Sequence, residues 1–217
     1  MFLTESLSNK IGYKIARTLK LDKDSEEIMA YGAFCLLQIF WSILWIMLFG
    51  IVFNMLIEVF IIFFVICILR KYSGGVHASS PGRCTIVGIT VCVGFSLIIH
   101  KIYWMFNLYY IVFFSVISLI FSYYIVYKLA PVDSIAKPIV KMETKKRFKR
   151  KSILILNILS IIIFVILIFY FKYSNVFLLN SIMCICVGAV WQSFTLTNEG
   201  HKILTKIDNI LKNFARK

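Results

Sequence analysis

Residues 152–171 read SILILNILSIIIFVILIFYF, with no charged residue among them. As an α-helix this stretch extends ~30 Å, the thickness of a bilayer's hydrocarbon layer. Lys172 closes it on one side, and a run dense in lysine and arginine at 141–151 precedes it on the other. An apolar run of that length with positive charge confined to its ends is the pattern of a membrane-spanning helix.

Outward from this run the pattern repeats. One span is expected at about 28–48, a second ending near Leu69, and a third from close to Cys84 to His100-Lys101. The fourth covers about 107–127, the run at 152–171 is the fifth, and the sixth covers about 176–195. Of 217 residues 60% are hydrophobic, more than a soluble domain of this size has interior to bury. Glu58 is either close to the headgroups or a buried functional carboxylate, and its place in the opening turns of the second span favours the headgroups.

The ends differ from the middle. Leu3, Leu7, Ile11, Ile15 and Leu19 recur every four residues, with Lys10, Lys14, Arg17 and Lys20 mostly between them. That is a basic amphipathic helix suited to the membrane interface. Asp22, Asp24 and Ser25 then offer a helix start. The tail at 198–217 is again basic, with Ile203, Ile207, Ile210, Leu211 and Phe214 on one face. The expected fold is therefore all-α and polytopic, with six transmembrane helices plus N- and C-terminal amphipathic interfacial helices in one membrane-integrated domain, 1–217. The first 27 residues are polar and do not read as a cleavable signal peptide.

The net charge of +14 does not imply nucleic acid, because the cations lie between apolar runs where they set topology. With six spans, every lysine and arginine except Lys101 and Lys172 falls on one side. That side is expected to be the cytoplasm, and it holds both termini, the loop at 70–83 and the basic loop at 128–151. Of six cysteines, Cys35, Cys67, Cys92, Cys184 and Cys186 sit inside apolar runs and read as small hydrophobes. No CxxC and no paired Cys/His spacing is present, so neither a metal nor another cofactor is expected.

The sixth cysteine lies in Arg70-Lys71-Tyr72-Ser73-Gly74-Gly75-Val76-His77-Ala78-Ser79-Ser80-Pro81-Gly82-Arg83-Cys84. Gly74-Gly75 permits a sharp turn, and Ser80-Pro81 places a capping serine before a proline at the first helical position. Cys84 then falls in or just after the first turn of the third span. The helix dipole and Arg83 both favour a thiolate there. His77 can fold back as its base, and free N–H groups of the helix start can bind an oxyanion. Asp133, Glu143, Glu26, Glu27, Gln192, Ser79 and Ser80 are candidates to orient His77, and the sequence does not choose among them.

The series Arg70, Gly75-Val76-His77-Ala78 and Cys84 resembles the accessory gene regulator B (AgrB) family. Ala130-Pro131-Val132-Asp133, followed by Lys137-Pro138 and a basic run, is similar to a second loop of that family. The resemblance covers essentially the whole chain. It implies a membrane cysteine endopeptidase of quorum sensing that trims the C-terminal tail of an AgrD-like propeptide and cyclises the rest to a thiolactone or lactone. By position it implies Cys84 as nucleophile, His77 as general base and acid, and structural or substrate-binding roles for Arg70 and Gly75. Ser80 and Arg83 are supporting residues on physical grounds. Lys141, Lys145, Lys146, Arg147, Lys149 and Arg150 are candidates to bind an acidic substrate tail, or anionic lipid. The family suggests a homodimer. A transporter or exporter, a metal-dependent membrane protease and a non-enzymatic scaffold for a peptide are the competing readings.

Overall fold

A computed structural model describes residues 3–76, 78–102, 105, 107–133 and 141–214. The described residues form eight helices: α1 Leu3–Leu19, α2 Lys23–Val52, α3 Leu56–Ser73, α4 Pro81–Ile102, α5 Leu108–Leu129, α6 Met142–Tyr173, α7 Val176–Phe194 and α8 Asn198–Phe214. The chain divides into two units, with the boundary between Leu48 and Phe49 inside α2.

Among the described residues five helices, α2 and α4 to α7, are long and apolar enough to cross a membrane. The remaining expected span, the second, is α3, whose 18 residues include Glu58, Arg70 and Lys71 and measure ~27 Å. The protein is all-helical, with the spans of a multi-pass membrane protein. Its side-chain distribution agrees with a lipid surround. On α5 the buried residues include Ser115, Ser118 and Ser122, while Phe113, Ile117, Ile120 and Tyr124 are exposed. A helix in water would do the reverse. In lipid there is no gain from burying large apolar groups, so small residues take the helix–helix contacts and let backbones approach.

In the first unit Asp22 opens α2 by accepting the Ser25 N–H at 3.3 Å. A hydrogen bond from the Ser25 hydroxyl, and then that from its N–H, hold the Asp22 carboxyl below the ordinary carboxylate range. On α1 the buried line is Ser8, Gly12 and Ala16, while Leu7, Ile15 and Leu19 are exposed.

The second unit is built round α7, against which α3, α4, α5 and α6 all pack. Gly188 lets α3 come close: a Cβ there would sit 3.1 Å from the Val65 side chain and 3.3 Å from the Ile62 carbonyl oxygen. Asn175 starts α7 by accepting the Phe177 N–H at 2.9 Å, and Ser174 turns the preceding chain in a left-handed conformation. The basic stretch expected within a loop is helical from Met142 onward and forms the opening turns of α6.

Glu58 does lie in the first turn of α3, but its side chain is buried rather than turned to the headgroups. Asn180 Nδ2 donates to Glu58 Oε1 at 2.9 Å, and His100 Nδ1 lies 3.3 Å from the same oxygen. Three helices thus meet on one carboxylate, at the end of the unit away from Ser73 and Cys84. Asn180→Leu is expected to lower the thermal midpoint in detergent, reflecting a loss of about 1–3 kcal/mol, since it leaves a buried carboxylate without its amide donor. An unchanged midpoint would show that the contact contributes no stability.

Candidate active site

The expected polar loop begins where α3 stops. Gly74 caps α3, its N–H donating to the Arg70 carbonyl at 3.0 Å, with φ 72° and ψ −145°. Gly75 follows at φ 124°. Both conformations are close to forbidden for a residue with a Cβ. This is how the chain turns sharply enough to leave α3 and enter α4 within a few residues.

At the turn the two stretches that carried the family resemblance meet. Val132 N–H donates to the Ser73 carbonyl at 2.9 Å, and Gly74 pairs with Val132 in a single parallel bridge. The approach is close because Gly74 has no side chain: a Cβ would lie 2.1 Å from the Val132 carbonyl oxygen. α5 ends at Leu129, one residue before Ala130-Pro131, and so delivers Val132 to this position.

Gln192 of α7 fastens the same turn from beneath. Its Nε2 donates to the Gly74 carbonyl at 2.9 Å and to Ser73 Oγ at 3.1 Å, and the residue is wholly buried. Gly75 faces Thr195 and Gln192: a Cβ on it would meet Thr195 Oγ1 at 2.9 Å and Gln192 Nε2 at 3.5 Å. Arg70 closes the loop from its other side, Nη2 donating to the Val76 carbonyl.

Beyond His77 the chain is tied again. The Asp208 carboxylate of α8 accepts from Ser79 N at 3.1 Å and from Ser79 Oγ at 2.6 Å through Oδ2. It accepts from Arg83 Nε at 2.6 Å through Oδ1. Arg83 Nη2 donates in turn to Ser79 Oγ at 2.6 Å. Burial pulls the Asp208 carboxyl upward, but the Ser79 and Arg83 hydrogen bonds prevail and hold it below the ordinary carboxylate range.

α4 opens at Pro81, as the Ser-Pro pair implied, and Cys84 N–H donates to the Ser80 carbonyl at 3.0 Å. Cys84 is half-buried in the first turn. Cys67 of α3 lies within electrostatic reach of both Cys84 and Arg70. Thiol, helix start and Arg70 therefore share one end of the second unit. His77 lies outside the described residues, as do Lys137 and Pro138.

Of the candidates to orient His77, Gln192 is fastened to the loop two residues before Val76, and Asp133 is exposed next to the bridged Val132. Glu143 is exposed in the first turn of α6. Glu26 and Glu27 belong to the first unit. Of the cations at the start of α6, Lys149 Nζ lies 4.4 Å from the Tyr127 ring centroid and Lys151 Nζ lies 5.0 Å from that of Tyr72. Phe148 packs edge-on against Tyr72 at 6.0 Å. Contacts of this kind contribute about 0.5–1 kcal/mol at exposed positions, so they order the cations more than they stabilise the fold. Lys141, Lys145, Lys146, Arg147 and Arg150 are exposed.

Asp208 is the residue that sequence reasoning missed. Its signal was present: the buried line of α8 is Gly200, Leu204 and Asp208, so a carboxylate occupies a position where the helical period calls for an apolar group. Ile203, Ile210 and Phe214, expected on the apolar face, are exposed.

Fold and site together define a multi-pass helical membrane protein with a fastened loop leading into a helix whose first turn carries a cysteine. The comparisons with known proteins agree. The family model described as accessory gene regulator B matches residues 8–196. An AgrB-like protein of Clostridium perfringens (strain SM101 / Type A) is 37% identical over 209 residues, covering 95% of this chain and 97% of the relative. An AgrB-like protein 2 of Clostridium perfringens (strain 13 / Type A) matches with the same identity and coverage. No solved structure matches. The chain belongs to the accessory gene regulator B family.

Proposed function

We propose that this protein is a membrane cysteine endopeptidase that removes the C-terminal tail of a small AgrD-like propeptide and cyclises the remainder, in peptide quorum sensing. The observation that carries the reading is the fastening of the loop before Cys84. Arg70, Gln192 and Asp208, from three helices, tie it on both sides of His77. A loop with no chemical task does not need three separate anchors, whereas a nucleophile and base must be held within a fraction of an ångström.

In this reading His77 takes the proton of the Cys84 thiol, and the sulfur attacks the scissile carbonyl. Backbone N–H groups at the start of α4 stabilise the oxyanion. The C–N bond breaks, and the tail leaves as an amine carrying the proton from His77. The peptide remains as a thioester on Cys84. A thiol (or hydroxyl) of the same peptide then attacks that carbonyl, the C–S bond to Cys84 breaks, and the enzyme thiol is regenerated as the ring closes. Holding both ends of one peptide at the membrane boundary makes the second attack intramolecular and limits hydrolysis.

The cations of α6 suit an acidic tail or anionic headgroups, and the bias of lysine and arginine to one side favours a cytoplasmic site. The test uses the full protein in proteoliposomes with a synthetic propeptide from the neighbouring open reading frame. Mass spectrometry is expected to find released tail, cyclic product and, at short times, a propeptide adduct on the fragment bearing Cys84. Tail release with the adduct on another residue, or with none, would overturn the assignment of the nucleophile.

A further inference from the structure

We propose that Asp208 is a positioning residue for Cys84, fixing from α8 the start of the helix that carries the thiol. The inference rests on the peptidase reading above. The family model ends at residue 196, so α8 lies wholly beyond it.

The geometry is a closed ring of three side chains. Both Asp208 oxygens are used, Oδ2 by Ser79 and Oδ1 by Arg83, and the Arg83 guanidinium returns to the Ser79 hydroxyl. Ser79 stands two residues after His77, and Arg83 immediately precedes Cys84. Residues 80–82, which lie between the two catalytic candidates, are therefore bracketed by groups that Asp208 holds. α4 and α8 pack together, so the carboxylate arrives on a helix and not on a loose tail.

The placement is costly unless it is used. Asp208 is 7% exposed on the face that α8 turns inward, and a charge there must be paired. It is paired by the two residues that frame the helix start. Because its carboxyl titrates below the ordinary value of 3.8, the contribution is present in full above that value. It is lost only as pH falls through the still lower folded value. The ring is thus intact at any neutral pH.

Asp208 also sets the charge beside the thiol. Arg83 directly precedes Cys84 on α4, and Cys67 of α3 lies within electrostatic reach of both Cys84 and Arg70. Arg83 is neutralised by Asp208, so the loop's geometry is gained by giving up part of that cation's pull on the thiol.

The test compares wild type with Asp208→Asn, Asp208→Glu, Arg83→Gln and the Asp208→Asn/Arg83→Gln double variant, as full chains in proteoliposomes. Asparagine keeps the size and can still accept from Ser79 but releases Arg83. kcat for tail release is expected to fall roughly ten- to hundred-fold in Asp208→Asn with KM little changed. Asp208→Glu should recover most of the loss, and the double variant should be no worse than the singles, as for residues acting through one contact. A second readout needs no propeptide: iodoacetamide should alkylate Cys84 several-fold faster in Asp208→Asn at fixed neutral pH, because the released Arg83 favours the thiolate. Wild-type kcat with unchanged alkylation in Asp208→Asn would overturn the proposal. So would a loss that follows the thermal midpoint and is not recovered by glutamate, which is what a purely structural contact would give. If Cys84→Ala cleaves like wild type, the assignment of Cys84 as nucleophile fails, and the alkylation rate alone then decides whether Asp208 governs the thiol.

Discussion

Cys84→Ala is expected to abolish release of the propeptide tail, and Cys84→Ser to lower it by on the order of 10³-fold or more. Alanine has no nucleophile. Serine has one, but its hydroxyl is far less acidic than a thiol and gains little from a helix dipole and a nearby cation. Both side chains fit a half-buried site in the first turn of α4, so the fold should be retained. His77→Ala is expected to match the alanine variant at neutral pH, since the two residues act as one unit. Tail release followed by mass spectrometry, beside a thermal midpoint in detergent, separates lost chemistry from lost structure. Cleavage at the wild-type rate in Cys84→Ala, with a normal midpoint, would remove this thiol from the mechanism.

Gly74→Val is expected to have the second largest effect, and to act through structure. At φ 72° and ψ −145° the backbone is in a region that is essentially glycine's alone. A Cβ would also lie 2.1 Å from the Val132 carbonyl oxygen, far inside contact distance. The chain has to move there, and with it the Val132–Ser73 hydrogen bond and the two bonds from Gln192. Backbone strain alone costs about 1–3 kcal/mol, and unpaired buried polar groups add comparable amounts. The variant should show a depressed thermal midpoint together with loss of tail release. Gly74→Ala should fall between it and wild type. A Gly74→Val protein with the wild-type midpoint would mean that the loop pairing contributes nothing to stability.

Much of the architecture was legible because the membrane simplifies the problem. An apolar run must be a helix in lipid, since no water is present to satisfy its backbone, and the ends of such runs are marked by charge and turn residues. The break at Ala130-Pro131 and the helix start at Ser80-Pro81 fall where local chemistry puts them. In α3, Glu58 at one end and Arg70 and Lys71 at the other shorten the apolar part. The buried state of Glu58 was not legible. Its partners Asn180 and His100 lie on α7 and α4, and nothing local announces either.

The site divides in the same way. The sequence by itself determined the helices, the sharp turn at Gly74-Gly75 and the entry of Cys84 in the first turn of α4, because each depends on neighbouring residues alone. Only the tertiary structure decided that Val132 pairs with Gly74, that Gln192 of α7 fastens that turn, and that Asp208 of α8 holds Ser79 and Arg83. The physical reason is that hydrogen bonds between side chains of different helices leave no periodic trace in a sequence. They appear only once packing has placed the helices side by side and left each buried polar group to find its partner.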